Sequence, residues 1–250
     1  MSGKPPGTRG ATRSGRAGGS GRRGRTGRGG RGRAAGPDSQ HERALADQGF
    51  ELVAGLDEVG RGAWAGPVSV GVVVIPPGLA PPAGLRDSKE LSEPLREELF
   101  PRIIEWCADW SVGHAEAIEC DRLGMTAALR LAAGRAIDGL ARSPHAVLMD
   151  GNFDYVSPPP EDPTAAGPPR FAVRTVVRGD ACCVSIAAAS VVAKVTRDRH
   201  MRALSPSFPA FDFHSNKGYP SPVHRRALDG QGLTSLHRRS WSFVDDLAFR

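Results

Sequence analysis

The sequence predicts an α/β fold, a mixed sheet flanked by helices, with a small helical C-terminal part and a disordered N-terminal tail. Three observations predict it. Short apolar runs alternate with longer segments of helical periodicity, the order that sets helices against one sheet. The first two runs form an early hairpin, which makes the sheet mixed rather than purely parallel. The first 37 residues carry Lys4, nine arginines and no acid among many glycines, and too little apolar surface to offset the entropy of ordering.

Each element follows from local pattern. Leu52, Val53 and Leu56 lead in the first strand, and Val68, Val70, Val72 and Val74 lead out the second on period-two spacing. After a proline-rich loop, Ser92 can cap a helix with Pro94 in its first turn and Leu95, Leu99, Ile103 and Trp106 at helical spacing. WSVGHAEAIE reads as a strand. DRLGMTAALRLAAGRAIDGL reads as one helix with Leu123, Ala127, Leu131 and Ile137 on or near its buried side. HAVLMDG is a short buried strand ending in Asp150, and FAVRTVVRGD is another, followed at once by Asp180. From Cys182 to Leu204 small residues mark a long helix able to pack close to a sheet.

With 250 residues, 40% hydrophobic and 24% charged, the chain bounds one main domain, residues 45–250, behind a basic tail, residues 1–44. The formal charge of +6 is unevenly placed: the first 37 residues hold +10, leaving 23 basic against 27 acidic residues, or −4, for the remainder. An Arg-Gly tail of this kind either screens phosphates without reading sequence or serves as a solubilising segment. A transit peptide would need an amphipathic helix, which the glycines oppose. No signal-peptide core and no apolar run near ~20 residues occurs, so a cytoplasmic protein without membrane contact is expected. Cys107, Cys120, Cys182 and Cys183 form no C-x-x-C pair, which argues against zinc and against a disulfide framework. The seven histidines are scattered, with His214, His224 and His237 in a basic C-terminal region, and are expected at the surface or facing phosphate rather than as ligands.

Three strand ends carry acids: Asp57 with Glu58, Asp150, and Asp180. One such acid would mean little, since Asp is an ordinary turn residue. Four converging carboxylates without histidine or cysteine would make a hard oxygen site suited to Mg²⁺ or Mn²⁺. Two such ions about 3.5–4 Å apart perform in-line phosphoryl displacement with water. A glycosidase would need an acid and a base facing each other across a sugar, which adjacent Asp57 and Glu58 do not suggest. A dinucleotide site at GRGAWAG is weak, because its third glycine is one place late and a strand follows it.

The ordered series GLDEVGRGAWAGPV, RDSKELS, LMDGN, VVRGD, SIAAASVVAKVTRD, NKGY and LHRRSW resembles the motifs of ribonuclease HII, the type 2 ribonuclease H family, from Gly55 to Trp241. The resemblance implies a ribonuclease H-like fold with Asp57, Glu58, Asp150 and Asp180 as catalytic and metal-binding acids for two ions. It implies that Gly60, Arg61 and Gly62 sense the 2′-hydroxyl at an RNA–DNA junction, the group that distinguishes ribose from deoxyribose. It also implies that Tyr219 stacks near the junction sugar, with a packed loop aromatic as the alternative. Lys89, in the family's phosphate-contacting loop with Asp87 and Ser88, is read as a phosphate ligand; Ser190 and Lys194 could share a helix face toward substrate, with close packing an equal alternative for Ser190. His237, Arg238 and Arg239 read either as a second phosphate patch or as a solvated basic face.

The expected substrates are RNA–DNA hybrids and single ribonucleotides embedded in duplex DNA, cut on the 5′ side of the ribonucleotide to leave 3′-hydroxyl and 5′-phosphate ends, as in ribonucleotide excision repair. No obligate protein partner is evident in the sequence. A non-catalytic nucleic-acid-binding protein is the alternative from another class. Two features depart from the family pattern. The loop NFDYVSPPPEDPTAAGPPR is extended, and its Asp154, Glu161 and Asp162 are not expected to be ligands; Trp64 stands where a smaller residue is expected.

Overall fold

Valine-rich runs buried on both faces need cover on both faces, and the chain supplies it. The computed structural model describes residues 36–75, 78–157 and 170–247. The basic tail up to residue 35, and Glu161 and Asp162 of the proline-rich loop, lie outside the described residues. Strands β1 (Val53–Val59), β2 (Val68–Ile75), β3 (Asp109–Ala115), β4 (Ala146–Asp150) and β5 (Ala172–Val176) form one sheet in the order β3-β2-β1-β4-β5. β1 pairs antiparallel with β2 and parallel with β4, so the sheet is mixed as expected.

Eight helices accompany it among the described residues: α1 (Gln40–Ala46), α2 (Glu93–Trp106), α3 (Ala117–Leu123), α4 (Met125–Asp138), α5 (Gly179–Cys182), α6 (Val184–Leu204), α7 (Phe213–Asn216) and α8 (Pro222–Gln231). Val68, Val70, Val72 and Val74 face a core shared with Ala128, Leu129, Ala132 and Ala136 of α4. On the opposite face Val73 and Ile75 pack with α6 and with Leu99, Phe100 and Ile103 of α2. The period-two pattern thus marks one face of a strand that is buried on both. Alanine and glycine let α6 approach β1 closely: a Cβ at Gly55 would stand 2.2 Å from the Ser185 carbonyl carbon. Any side chain there would force the central helix off the sheet.

Several local expectations change. Helix α1 begins inside the segment expected to be disordered up to residue 44 and runs on to Ala46. It is held there because Asp38 bridges to Cys183 and Leu45 enters an apolar cluster with Val53, Leu148 and Ile186. β3 ends at Ala115, where a capping box between Glu116 and Glu119 starts α3. The single helix read across 121–140 is broken at Gly124, whose φ of +76° ends α3 and starts α4. This break rotates the buried face, leaving Leu123 exposed and burying Ala128, Leu129, Ala132 and Ala133. In α2 Leu95 is likewise exposed, and Phe100 takes the buried place.

The C-terminal part is helical and has its own core of Met201, Phe211, Phe213, Ala227, Leu228 and Phe243. Trp64 belongs to this core: it stacks on Phe243 with ring centroids 4.2 Å apart, and the Arg225 guanidinium lies over it. The large residue in the loop after β1 thus fastens that loop to the C-terminal part.

Candidate active site

Asp57 and Glu58 end β1, Asp150 ends β4, and Asp180 sits in α5, the short turn after β5. Parallel pairing of β1, β4 and β5 brings these ends to one edge of the sheet. They meet around an opening of about 280 Å³ lined by Asp57, Glu58, Asp150, Lys89, Lys194 and Tyr219, with Gly60, Arg61 and Gly62 on its rim. Asp180 reaches the same place through Lys89, whose Nζ lies 3.0 Å from its Oδ2.

Asp57 is the buried member of the set. Burial first, and then the neighbouring Glu58 carboxylate, hold its carboxyl well above the usual carboxylate range, against the opposing influences of Lys89 and the Glu58 N–H. Glu58 is held at both oxygens: Arg61 Nη1 donates to Oε1 at 3.0 Å and Tyr155 Oη donates to Oε2 at 3.1 Å. Asp150 accepts from the Gly179 N–H at 2.7 Å, which fixes the β5–α5 turn carrying Asp180. For Lys89 burial opposes the charge, but the hydrogen bond to Asp180 and the charges of Asp57 and Asp87 prevail and raise its pKa.

This donor set fits a hard divalent cation. A carboxyl whose pKa is raised by burial and by a neighbouring carboxylate is the arrangement that such a cation relieves, and all the donors are oxygens. The four acids do not close to mutual ligand spacing; among the described residues the three ligand atoms within 4.8 Å of one another lie at His41, Cys182 and Cys183.

The loop after β1 is built by groups that local pattern does not reveal. Gly60 has φ +89°, and a Cβ there would stand 2.4 Å from Arg197 Nε. Its N–H donates to Tyr219 Oη at 3.1 Å, and its carbonyl accepts from Arg238 at 2.7 Å. Arg197 and Arg238 are fully buried, and their guanidinium groups hold the carbonyls of Pro67 and Lys217, and of Gly60, Arg61 and Gly66, respectively. The Tyr219 ring lies between two cations, 5.4 Å from the Arg197 guanidinium and 5.7 Å from Lys194 Nζ.

Three expectations are corrected. Ser190 does not face the opening: it is 1% exposed, and its Oγ donates to the Ala187 carbonyl and accepts from the Ser88 N–H, so it fixes the loop that carries Lys89. The segment 237–239 forms neither a three-residue phosphate patch nor a solvated basic face: His237 and Arg238 are buried, and Arg239 alone is exposed. His224 and His237, expected at the surface, face each other in the C-terminal core with Nε2 atoms 2.9 Å apart. Arg197 and Tyr155 are parts of the site that the sequence does not single out, and Arg238 belongs to it by holding the loop carbonyls rather than by contacting phosphate. An arginine within the small-residue face of α6 was the available signal for Arg197; Tyr155 had none.

The Ribonuclease HII family profile matches residues 54–244. The chain is 50% identical over 216 residues to ribonuclease HII of Streptomyces griseus, covering 84% of this chain and 86% of that one. It is 45% identical over 208 residues to ribonuclease HII of Paracoccus denitrificans, covering 83% and 93%. Its fold is similar to the crystal structure of ribonuclease H2 from Pyrococcus horikoshii, with a TM-score of 0.62, 29% identity, and coverage of 78% of this chain and 96% of that one.

Proposed function

The chain belongs to the ribonuclease HII family, and on that premise we propose that it hydrolyses the RNA strand of RNA–DNA hybrids and cuts duplex DNA on the 5′ side of a single embedded ribonucleotide. One observation carries this reading: Asp57, Glu58 and Asp150, the Gly60–Gly62 loop and Tyr219 share one opening, and Asp180 is tied to it through Lys89. Ribonuclease H action is the activity of the family. The finer statement, incision at one ribonucleotide with 3′-hydroxyl and 5′-phosphate products, rests on that arrangement.

Asp57, Glu58, Asp150 and Asp180 would hold two Mg²⁺ or Mn²⁺ ions. When bound, these supply an activated water and neutralise charge on the leaving oxygen. The chain's own groups do the rest. Tyr155 and Arg61 fix the Glu58 carboxylate from both sides. Arg238 holds the carbonyls of Gly60 and Arg61, so that the loop presents a rigid edge to the sugar. A Cβ at Gly62 would meet nothing within 4 Å in the protein itself, so a glycine there leaves room for a sugar to approach the backbone. Lys89, paired with Asp180 at 3.0 Å on the edge of the opening, would offer its charge to a substrate phosphate. Lys194, anchored to Asp198 at 2.7 Å, sets a second positive charge beside Tyr219.

The test is a duplex containing one ribonucleotide, incubated with Mg²⁺ or Mn²⁺. The expected product is a single nick 5′ to the ribonucleotide, bearing a 3′-hydroxyl that a polymerase extends. Absence of cleavage with both ions, together with retained duplex binding, would favour the non-catalytic binding protein. Incision opens the route by which ribonucleotide excision repair removes the residue. The basic tail adds sequence-independent phosphate attraction, read from the salt dependence of binding.

A further inference from the structure

We propose that His41, Cys182 and Cys183 form a second metal site, for one thiophilic divalent cation of the zinc class, which fastens the N-terminal arm to the start of the central helix. The imidazole nitrogen and the two sulfurs all lie within 4.8 Å of one another. The Sγ atoms are 3.8 Å apart, and two thiolates at about 2.3 Å from a tetrahedral ion stand about 3.8 Å from each other. Cys183 packs in the apolar cluster with Leu45 and Ile186, and Cys182 lies against it, so the cluster fixes both sulfurs at this spacing.

The backbone holds the pair in this posture. Cys183 is extended, φ −104° and ψ 127°, where α5 gives way to α6. The arm bringing His41 is hydrogen-bonded to the same place, Asp38 N–H to the Cys182 carbonyl and Val184 N–H to the Asp38 carbonyl. The ligands are therefore preorganised on two segments that already touch. Glu42 supplies a second, independent sign. It is 4% exposed, with Oε1 accepting from Ser185 N–H and Oγ, while its Oε2 is buried without a hydrogen-bond partner. The Glu42 charge acts on the Cys183 sulfur, so a cation held there would offset it.

The donors select the ion. Sulfur and imidazole suit zinc and its softer relatives, while the oxygen-lined opening suits Mg²⁺ or Mn²⁺, so the two sites divide cations by chemistry. Binding releases two thiol protons to solvent and involves no change of oxidation state. Because Cys182 is two residues from Asp180, a cation here stiffens the turn that carries an acid of the active site.

The experiment titrates the reduced, metal-stripped protein with Cd²⁺ and follows the ultraviolet sulfur-to-cadmium absorption, with Zn²⁺ competition and the melting temperature as second readouts. One equivalent is expected to produce the thiolate band, displaced by Zn²⁺. C182S should abolish the band, and H41N, an exposed change of little risk to folding, should weaken binding about tenfold or more; D57N should leave it unchanged. Zn²⁺ should raise the melting temperature of wild type but not of H41N. A missing band in wild type, a band retained in C182S, or equal affinity in H41N would overturn the site.

Discussion

The backbone N–H of Gly60 donates a 3.1 Å hydrogen bond to the hydroxyl of Tyr219, 159 residues further along the chain. The bond joins the loop after β1 to the C-terminal part, reinforced by Trp64 and Ala65 N–H groups donating to the Gly218 carbonyl. Tyr219→Phe removes one hydrogen bond, a loss of up to about tenfold in kcat/KM. Tyr219→Ala also removes the ring, and should lose much more on a single-ribonucleotide duplex than on an all-RNA hybrid strand. Cleavage rates on both substrates, measured side by side, check it; equal losses on the two would return Tyr219 to loop packing.

Asp57→Asn, Glu58→Gln, Asp150→Asn and Asp180→Asn should each reduce turnover by about a hundredfold or more while the fold persists, because each keeps shape and removes a hard anionic ligand. Asp57→Asn should also melt at or above the wild-type temperature, since a buried amide costs less than a buried carboxylate. Single-turnover rates and melting curves together decide; near-normal rates at Asp57 and Asp180 would remove the metal site.

Lys89 and a cation compete for Asp180. Lys89→Met should therefore lower the Mg²⁺ concentration needed for half-maximal activity and raise the substrate KM. Metal titrations at saturating substrate separate the two effects. If both parameters rise, Lys89 does not hold Asp180 against the metal.

Glycines 60 and 62 should answer differently to alanine. At Gly60 the Cβ meets Arg197 and the Pro67 carbonyl on a positive-φ backbone, so Gly60→Ala should lower the melting temperature. At Gly62 the Cβ meets no protein atom, so Gly62→Ala should keep stability and lose activity on a ribonucleotide junction. Wild-type activity in a stable Gly62→Ala protein would show that no sugar comes close there.

The pair His224–His237 makes stability depend on pH. Burial lowers both pKa values, that of His237 to about 3 with further lowering by His224 and Arg239, while in the unfolded chain both titrate near ~6.5. Below that value the unfolded state binds more protons than the folded one, so the stability present at neutral pH is lost as pH falls. His114, lowered to about 4 by burial and by His200, acts in the same direction. The melting temperature should fall by several degrees from about pH 7.5 to about pH 5, and less steeply in His237→Gln. A flat profile in wild type would contradict it.

What the sequence determined by itself was local. Valine runs and small-residue helices set the layers, the short connection between β1 and β2 makes the sheet mixed, and acids at strand ends mark the candidate ligands. Local pattern reached its limit where partners are remote in the chain. Ser190 reads as a polar residue on a helix face, and only packing shows its hydroxyl consumed by Ser88 and Ala187. Arg238 reads as a surface cation, yet it is buried beneath the Gly60 loop because several backbone carbonyls there need donors. Gly124 reads as one glycine in a helix, and its positive φ turned the buried face of all that follows. The fold class follows from side-chain periodicity, which each segment carries alone; the disposition of a buried polar group depends on which distant donor or acceptor satisfies it, and only the tertiary structure decides that.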